Sequence, residues 1–192
     1  MHWLNEFLKF CRPVSRLTGS EWADAKRFIS LGTTAEPGPW RTYRTPYLQE
    51  PMDAATDKQT EKIVLMFASQ VGKSELLLNV LGYYADQEPS PQLMLQPTVE
   101  MAQAFSKERI APMFRDSPGL AGKLIEGKEG RGTEKKSSTT ILMKHYPGGF
   151  LALVGANSPA GLASRPIRIL LADEVDRYPE SAGKKGDPLK LA

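Results

Sequence analysis

Two short stretches of this chain carry residue types suited to phosphate chemistry. In "LMFASQVGKSELLLN", residues 65–79, Gly72, Lys73 and Ser74 stand in sequence. A lysine ammonium can reach the terminal phosphates of a nucleotide, a serine hydroxyl can join a Mg²⁺ shell, and free amides at a helix start hold phosphate oxygens. The nucleotide-loop consensus Gly-x-x-x-x-Gly-Lys-Ser/Thr places its first glycine where this chain has Phe67. The turn then falls to Ala68, Ser69 and Gln70, with the preceding strand running on to Phe67. The second stretch is "RPIRILLADEVDRYP", residues 165–179, in which Asp173 and Glu174 close an apolar run. A nucleotide-hydrolysing site needs a carboxylate at a strand end to hold the magnesium shell. It also needs a second acid able to polarise water. The competing reading is an acidic turn capping a helix, with Asp176 and Glu180 on the same face. The two motifs together, in this order and about a hundred residues apart, point to ATP or GTP binding.

Positioning these residues takes strands that end at the loop and helices that leave it. "KIVLMFAS" predicts a strand buried on both faces, and "KSELLLNVLGYYAD" a helix with Leu77, Leu78, Leu81 and Tyr84 inward. "PQLMLQPT" reads as a second buried strand and "VEMAQAFSKERIAPMF" as a second helix. "STTILMKHY" and "GFLALVGA" form a strand pair joined at "PGG", and "PIRILLADEVD" is a further strand. Strands alternating with helices predict an α/β domain with a largely parallel sheet flanked by helices. Upstream, Ser20 is a candidate N-cap for a helix that places Trp22, Ala25, Phe28 and Ile29 on one face. Pro37, Pro39, Pro46 and Pro51 then impose an extended segment whose aromatics Trp40, Tyr43 and Tyr47 pack on something.

At 192 residues, 41% hydrophobic and 24% charged, the chain has the profile of one soluble globular domain. Its formal charge of +3 demands no nucleic-acid partner. Lys123, Lys128, Arg131, Lys135 and Lys136 nevertheless make a basic middle, read either as a solvated loop or as a weak phosphate-backbone contact. The single Cys11 excludes an internal disulfide and fits a reducing compartment. His2 and His145, without cysteine company, argue against a zinc site. No apolar run reaches the ~20 residues of a bilayer span. The start "MHWLNEFLKFCRP" lacks a signal peptide's apolar core, so a cytoplasmic location without membrane contact is expected.

"RTYRTPYLQEPMDA", "FASQVGKSELLLNVLGYY", "LMLQPTVEMAQAFSKERIAPMFRDSP" and "GLASRPIRILLADEVDRYP" together resemble the large terminase subunit of tailed phages, the lambda-like GpA family. The resemblance runs from about Ser20 to the end. It implies a P-loop NTPase of the additional-strand, catalytic-glutamate type in an ATP-driven DNA-packaging motor. By position it makes Gln70, Val71, Gly72, Lys73 and Ser74 the phosphate loop, with Ser69 at its edge. It makes Asp173, together with Ser74, the Mg²⁺ holder and Glu174 the catalytic glutamate. Arg41, Tyr43 and Arg44 fall near the adenine. Lys107 and Arg109 lie in the segment after the second strand, which in such motors couples to DNA or to neighbouring subunits. A solvated helix face is the alternative for both.

The implied partners are double-stranded DNA, the small terminase subunit (through residues 1–35, a helical lead-in), the portal of the prohead and neighbouring copies in a homo-oligomeric ring. Residues 36–192 are then a partial ATPase domain, incomplete at its C-terminus. On the resemblance, the coupling motif, further strands and C-terminal nuclease domain of a full packaging subunit would lie outside residues 1–192, and the expectation is a truncated product, a prophage remnant or a fragment. Transition-state charge calls for an arginine, with Arg165 and Arg168 as candidates beside structural roles. A helicase-like DNA ATPase and a nucleotide-binding module without turnover are the alternatives.

Overall fold

The computed structural model of the chain describes residues 16–32, 36–125, 139–158, 166–182 and 186–192. Its central sheet has four strands in the order β4-β5-β3-β6. They are β3 (Gln92–Gln96), β4 (Met143–Tyr146), β5 (Gly149–Gly155) and β6 (Ile169–Ala172). β3 pairs in parallel with both β5 and β6, and β4 joins β5 antiparallel through the turn at Pro147 and Gly148. A separate ribbon pairs β1 (Phe28–Ile29) with β2 (Gly38–Pro39).

Alternation along β3 sets the two faces. Met94 joins Leu151, Leu153 and Leu171 in the larger core, beneath the helices Gly19–Lys26, Gln49–Thr56 and Lys73–Asp86. Leu93 and Leu95 turn to the other face, against Ala152, Val154, Ala182 and the chain's last residues. The result is an α/β arrangement, largely parallel and flanked by helices, as the alternation of elements predicts.

Helix Lys73–Asp86 runs through the larger core, with nearly every residue from Leu76 to Ala85 buried. Helix Gly19–Lys26 crosses it closely. A β-carbon on Gly82 would stand 2.2 Å from Trp22 Cη2, so only glycine admits the indole there. Trp22 Nε1 donates to Asp86 Oδ2 at 2.7 Å, and Lys26 reaches the same oxygen at 2.8 Å. Lys123 closes on the other carboxylate oxygen. Burial works against the Asp86 charge, but the bonds from Lys123, Lys26 and Trp22 prevail and hold its carboxyl below the ordinary 3.8. This anchor's contribution is therefore present above that value and is lost as pH falls through the depressed one.

Four sequence expectations are corrected. The proline-set segment is not extended throughout: Thr42–Arg44 and Pro46–Leu48 are 3₁₀ turns, and Gln49–Thr56 is a helix that takes Pro51 in its first turn, where no intrahelical amide bond is lost. The N-cap of the first helix is Thr18, not Ser20. Thr18 accepts from the Glu21 amide while the Glu21 carboxylate accepts from the Thr18 amide, a reciprocal capping box. Helical geometry ends at Lys26, so Phe28 and Ile29 lie in β1, and Ala25 is exposed.

Finally, residues 61–68 form no strand. Their period of two survives: Leu65 and Phe67 pack on the core, while Val64 and Met66 are 73% and 95% exposed. A strand needs a ladder partner for its amides and carbonyls. Among the described residues the sheet offers this segment none, and only one of its faces is covered.

Candidate functional site

The loop after residue 68 turns through two left-handed residues, Gln70 (φ 59) and Gly72 (φ 86). A side chain at Gly72 would strain that backbone and meet Leu48 Cδ1 at 3.1 Å. Gly72 is also the N-cap of the 14-residue helix Lys73–Asp86, and no side chain caps its first turn. Uncapped first-turn amides and the positive end of the helix dipole face this loop, which suits a phosphate. The loop is fastened from outside by Tyr47, whose hydroxyl donates to the Val71 carbonyl at 3.1 Å.

On β6, the Asp173 amide continues the ladder to the Leu95 carbonyl at 3.1 Å. The same carbonyl accepts the Tyr178 hydroxyl at 3.0 Å, which ties both ends of the acidic turn to β3. Between them Glu174 adopts the left-handed conformation (φ 52, ψ 47) and starts the 3₁₀ turn Val175–Arg177. For a non-glycine residue this costs roughly 1–3 kcal/mol, and such strain collects at functional sites.

The loop and the acidic turn meet. Lys73 Nζ lies 4.0 Å from Glu174 Oε1, and Arg177 Nη1 lies 2.9 Å from Oε2. The Arg177 contact is an ion pair without an aligned hydrogen bond, since Oε2 is buried and accepts none. Asp173 is 7% exposed, and Gln96 Nε2 donates to its Oδ2 at 3.4 Å. Burial pushes the Asp173 carboxyl above its ordinary 3.8. The Gln96 bond opposes this, the Glu174 charge adds to it, and Lys73 counters it. A buried carboxylate so poorly neutralised fits a divalent cation. Mg²⁺ characteristically takes one or two protein carboxylates and completes its shell with phosphate oxygens and water.

Because the folded state raises this group's affinity for a proton, its charge weakens the fold once pH exceeds the raised value. Asp173→Asn should therefore stabilise the chain by about 0.5–2 kcal/mol near neutrality. Thermal unfolding should show the gain shrinking toward acid pH.

The structure thus brings the loop Ser69, Gln70, Val71, Gly72, Lys73 and Ser74 up to the acidic pair Asp173 and Glu174 through Lys73. The upstream residues Arg41, Tyr43 and Arg44 lie at the 3₁₀ turn Thr42–Arg44 and its start. Tyr43 is 78% exposed, Arg44 pairs with Glu36, and Arg41 donates to the Asp24 and Trp40 carbonyls. Tyr47 and Leu48, on the next turn, touch the loop itself. Arg168 pairs with Glu88 at 2.5 Å and with Ser90 Oγ at 3.0 Å at the start of β6, the end of the strand away from Asp173. Arg165 lies outside the described residues, as do Lys128, Arg131, Lys135 and Lys136. Lys107 is exposed, whereas Arg109 reaches Glu75 Oε1 at 3.4 Å, where the buried Arg27 holds Oε2 at 3.0 Å.

Sequence reading names Tyr47 only as an aromatic that packs, and it does not single out Gln96 or Arg177. Only Arg177 carried a local signal, three residues after Glu174 on a turn that sequence alone reads as acidic.

Among the described residues no helix is long and apolar enough to cross a membrane. No solved structure matches the chain. It is 25% identical over 176 residues to the terminase large subunit of Enterobacteria phage P21, and equally so to that of Escherichia phage lambda. Each alignment covers 91% of this chain and 26% of the relative, so the chain spans about a quarter of the relatives' length. The family model for the phage terminase large subunit gpA ATPase domain matches residues 34–192, and the chain belongs to that family.

Proposed function

We propose that the chain is the ATP-hydrolysing part of a DNA-packaging motor, built as a P-loop NTPase of the additional-strand, catalytic-glutamate type. The observation that carries this reading is the 4.0 Å approach of Lys73 to Glu174, which joins the two motifs in one site. Lys73 and the uncapped helix start bind the terminal phosphates. Ser74 and Asp173 would hold Mg²⁺, which would supply neutralisation of phosphate charge. Glu174 orients the attacking water and accepts its proton at a carboxylate oxygen. Gln96 keeps Asp173 in place from the end of β3. Tyr47 fixes the loop, and the turn carrying Arg41, Tyr43 and Arg44 borders the base.

Double-stranded DNA, the small subunit, the portal and a ring of copies are the partners proposed with this reading, in the host cytoplasm. DNA contact is expected to be weak, independent of sequence and lost steeply as salt rises. The test is phosphate release from Mg·ATP by the chain, with and without linear duplex DNA. Release that duplex DNA stimulates at low salt supports the reading, and its absence in both conditions removes it.

A second reading, a nucleotide-binding module without turnover, draws on one observation. The segment leading into the loop has its Val64 and Met66 face uncovered, so the loop is anchored from one side. Nucleotide binding without phosphate release is that reading's result.

A further inference from the structure

We infer that Glu174 competes with phosphate for Lys73, and that Arg177 is the positioning residue that keeps the displaced carboxylate in the site. This rests on the nucleotide reading above and adds a partner exchange to it.

Glu174 divides its carboxylate between two cations on different elements. Lys73 at Oε1 belongs to the loop, and Arg177 at Oε2 closes the same 3₁₀ turn that Glu174 begins. The Lys73 contact, at 4.0 Å, is the looser. Lys73 and Glu174 side chains are 35% and 23% exposed, so water reaches the pair and can replace it. A phosphate bearing more than one negative charge outcompetes a single carboxylate for the ammonium. Once Lys73 is claimed, Glu174 would be a partly buried anion without a partner, which is unfavourable. Arg177 removes that cost without leaving its place, because its ion pair with Oε2 does not involve Oε1. Oε1 is then the oxygen freed for water. The left-handed backbone at Glu174 supports the geometry, since it sets the carboxylate between the loop and its own turn.

The exchange makes a prediction that a purely structural role for these residues does not. Removing the competing carboxylate should improve nucleotide binding even as it removes the proposed base. In magnesium-free titrations with a fluorescent ATP analogue, Glu174→Gln should bind about two- to fivefold more tightly than the parent chain, the range of a partly exposed ion pair. Arg177→Ala should bind more weakly by a similar factor, because Glu174 then leans on Lys73 alone. Arg177→Lys should restore the parent affinity. The double variant should match Glu174→Gln, since Arg177 acts only through the carboxylate. Unchanged or weaker binding by Glu174→Gln overturns the exchange, as does a double variant as weak as Arg177→Ala.

A ligand-free readout separates this from the nucleotide reading. Acetylation of Lys73 by acetic anhydride, followed by mass spectrometry, should be faster in Glu174→Gln and slower in Arg177→Ala. Equal rates in all three chains overturn the exchange whatever the nucleotide does. The expected order of rates in a chain that binds no nucleotide supports the exchange and removes the nucleotide reading alone.

Discussion

Lys73→Ala should abolish measurable nucleotide binding while leaving the fold intact. Truncating one member of a charge-assisted contact to phosphate costs about 2–5 kcal/mol. That is roughly three hundredfold in affinity at mid-range. The structural cost is small. Lys73 is about one-third exposed, follows the left-handed Gly72 at the helix start, and holds Glu174 only at 4.0 Å. An ion pair of that kind contributes about 0–1 kcal/mol to stability. Unfolding midpoints of Lys73→Ala and the parent chain should therefore nearly coincide while titrations with a fluorescent ATP analogue diverge. A variant that binds as the parent does would take Lys73 out of the site.

The largest effect on stability should come from Trp22→Ala, at about 3–5 kcal/mol. The indole is fully buried between the first helix and the Lys73–Asp86 helix, and Gly82 leaves just enough room for it. Its removal opens a cavity that the close helix crossing cannot fill. It also takes away the 2.7 Å bond to Asp86, the carboxylate on which Lys26 and Lys123 also converge. Trp22→Phe keeps most of the ring volume and loses that bond, so it should fall between the parent and alanine. Urea unfolding of the three chains gives the order directly. A loss below about 1 kcal/mol for the alanine variant would show that the crossing collapses onto the space.

Trp22 also shows what the sequence made legible. Its place in a helix was readable, but its partners Gly82 and Asp86 lie about sixty residues away, and no local pattern reports such a contact. The helix beginning at Lys73 and strands β3 to β6 were readable because long periodic runs and the Pro-Gly-Gly turn leave few alternatives. Residue type alone does not separate Thr18 from Ser20 as the N-cap, because both are capping residues. Glu21, three after Thr18, was the signal that chose between them. The segment 61–68 has strand composition, yet pairing depends on a neighbour that composition does not reveal. At the site, the residues of the loop and the acidic pair were legible from type and order. Tyr47, Gln96 and Arg177 act across folds of the chain or from a surface turn, and needed coordinates.

Lys73 and Glu174 are proposed to belong to one hydrolytic site, with Glu174 acting on water and Lys73 on phosphate. Steady-state phosphate release from Mg·ATP by the parent chain and by Glu174→Gln, at equal nucleotide occupancy, tests it most directly. Loss of general-base assistance should lower turnover by about 10²–10⁴-fold, with nucleotide still bound. Equal turnover in the two chains, or loss of binding together with turnover, would contradict it.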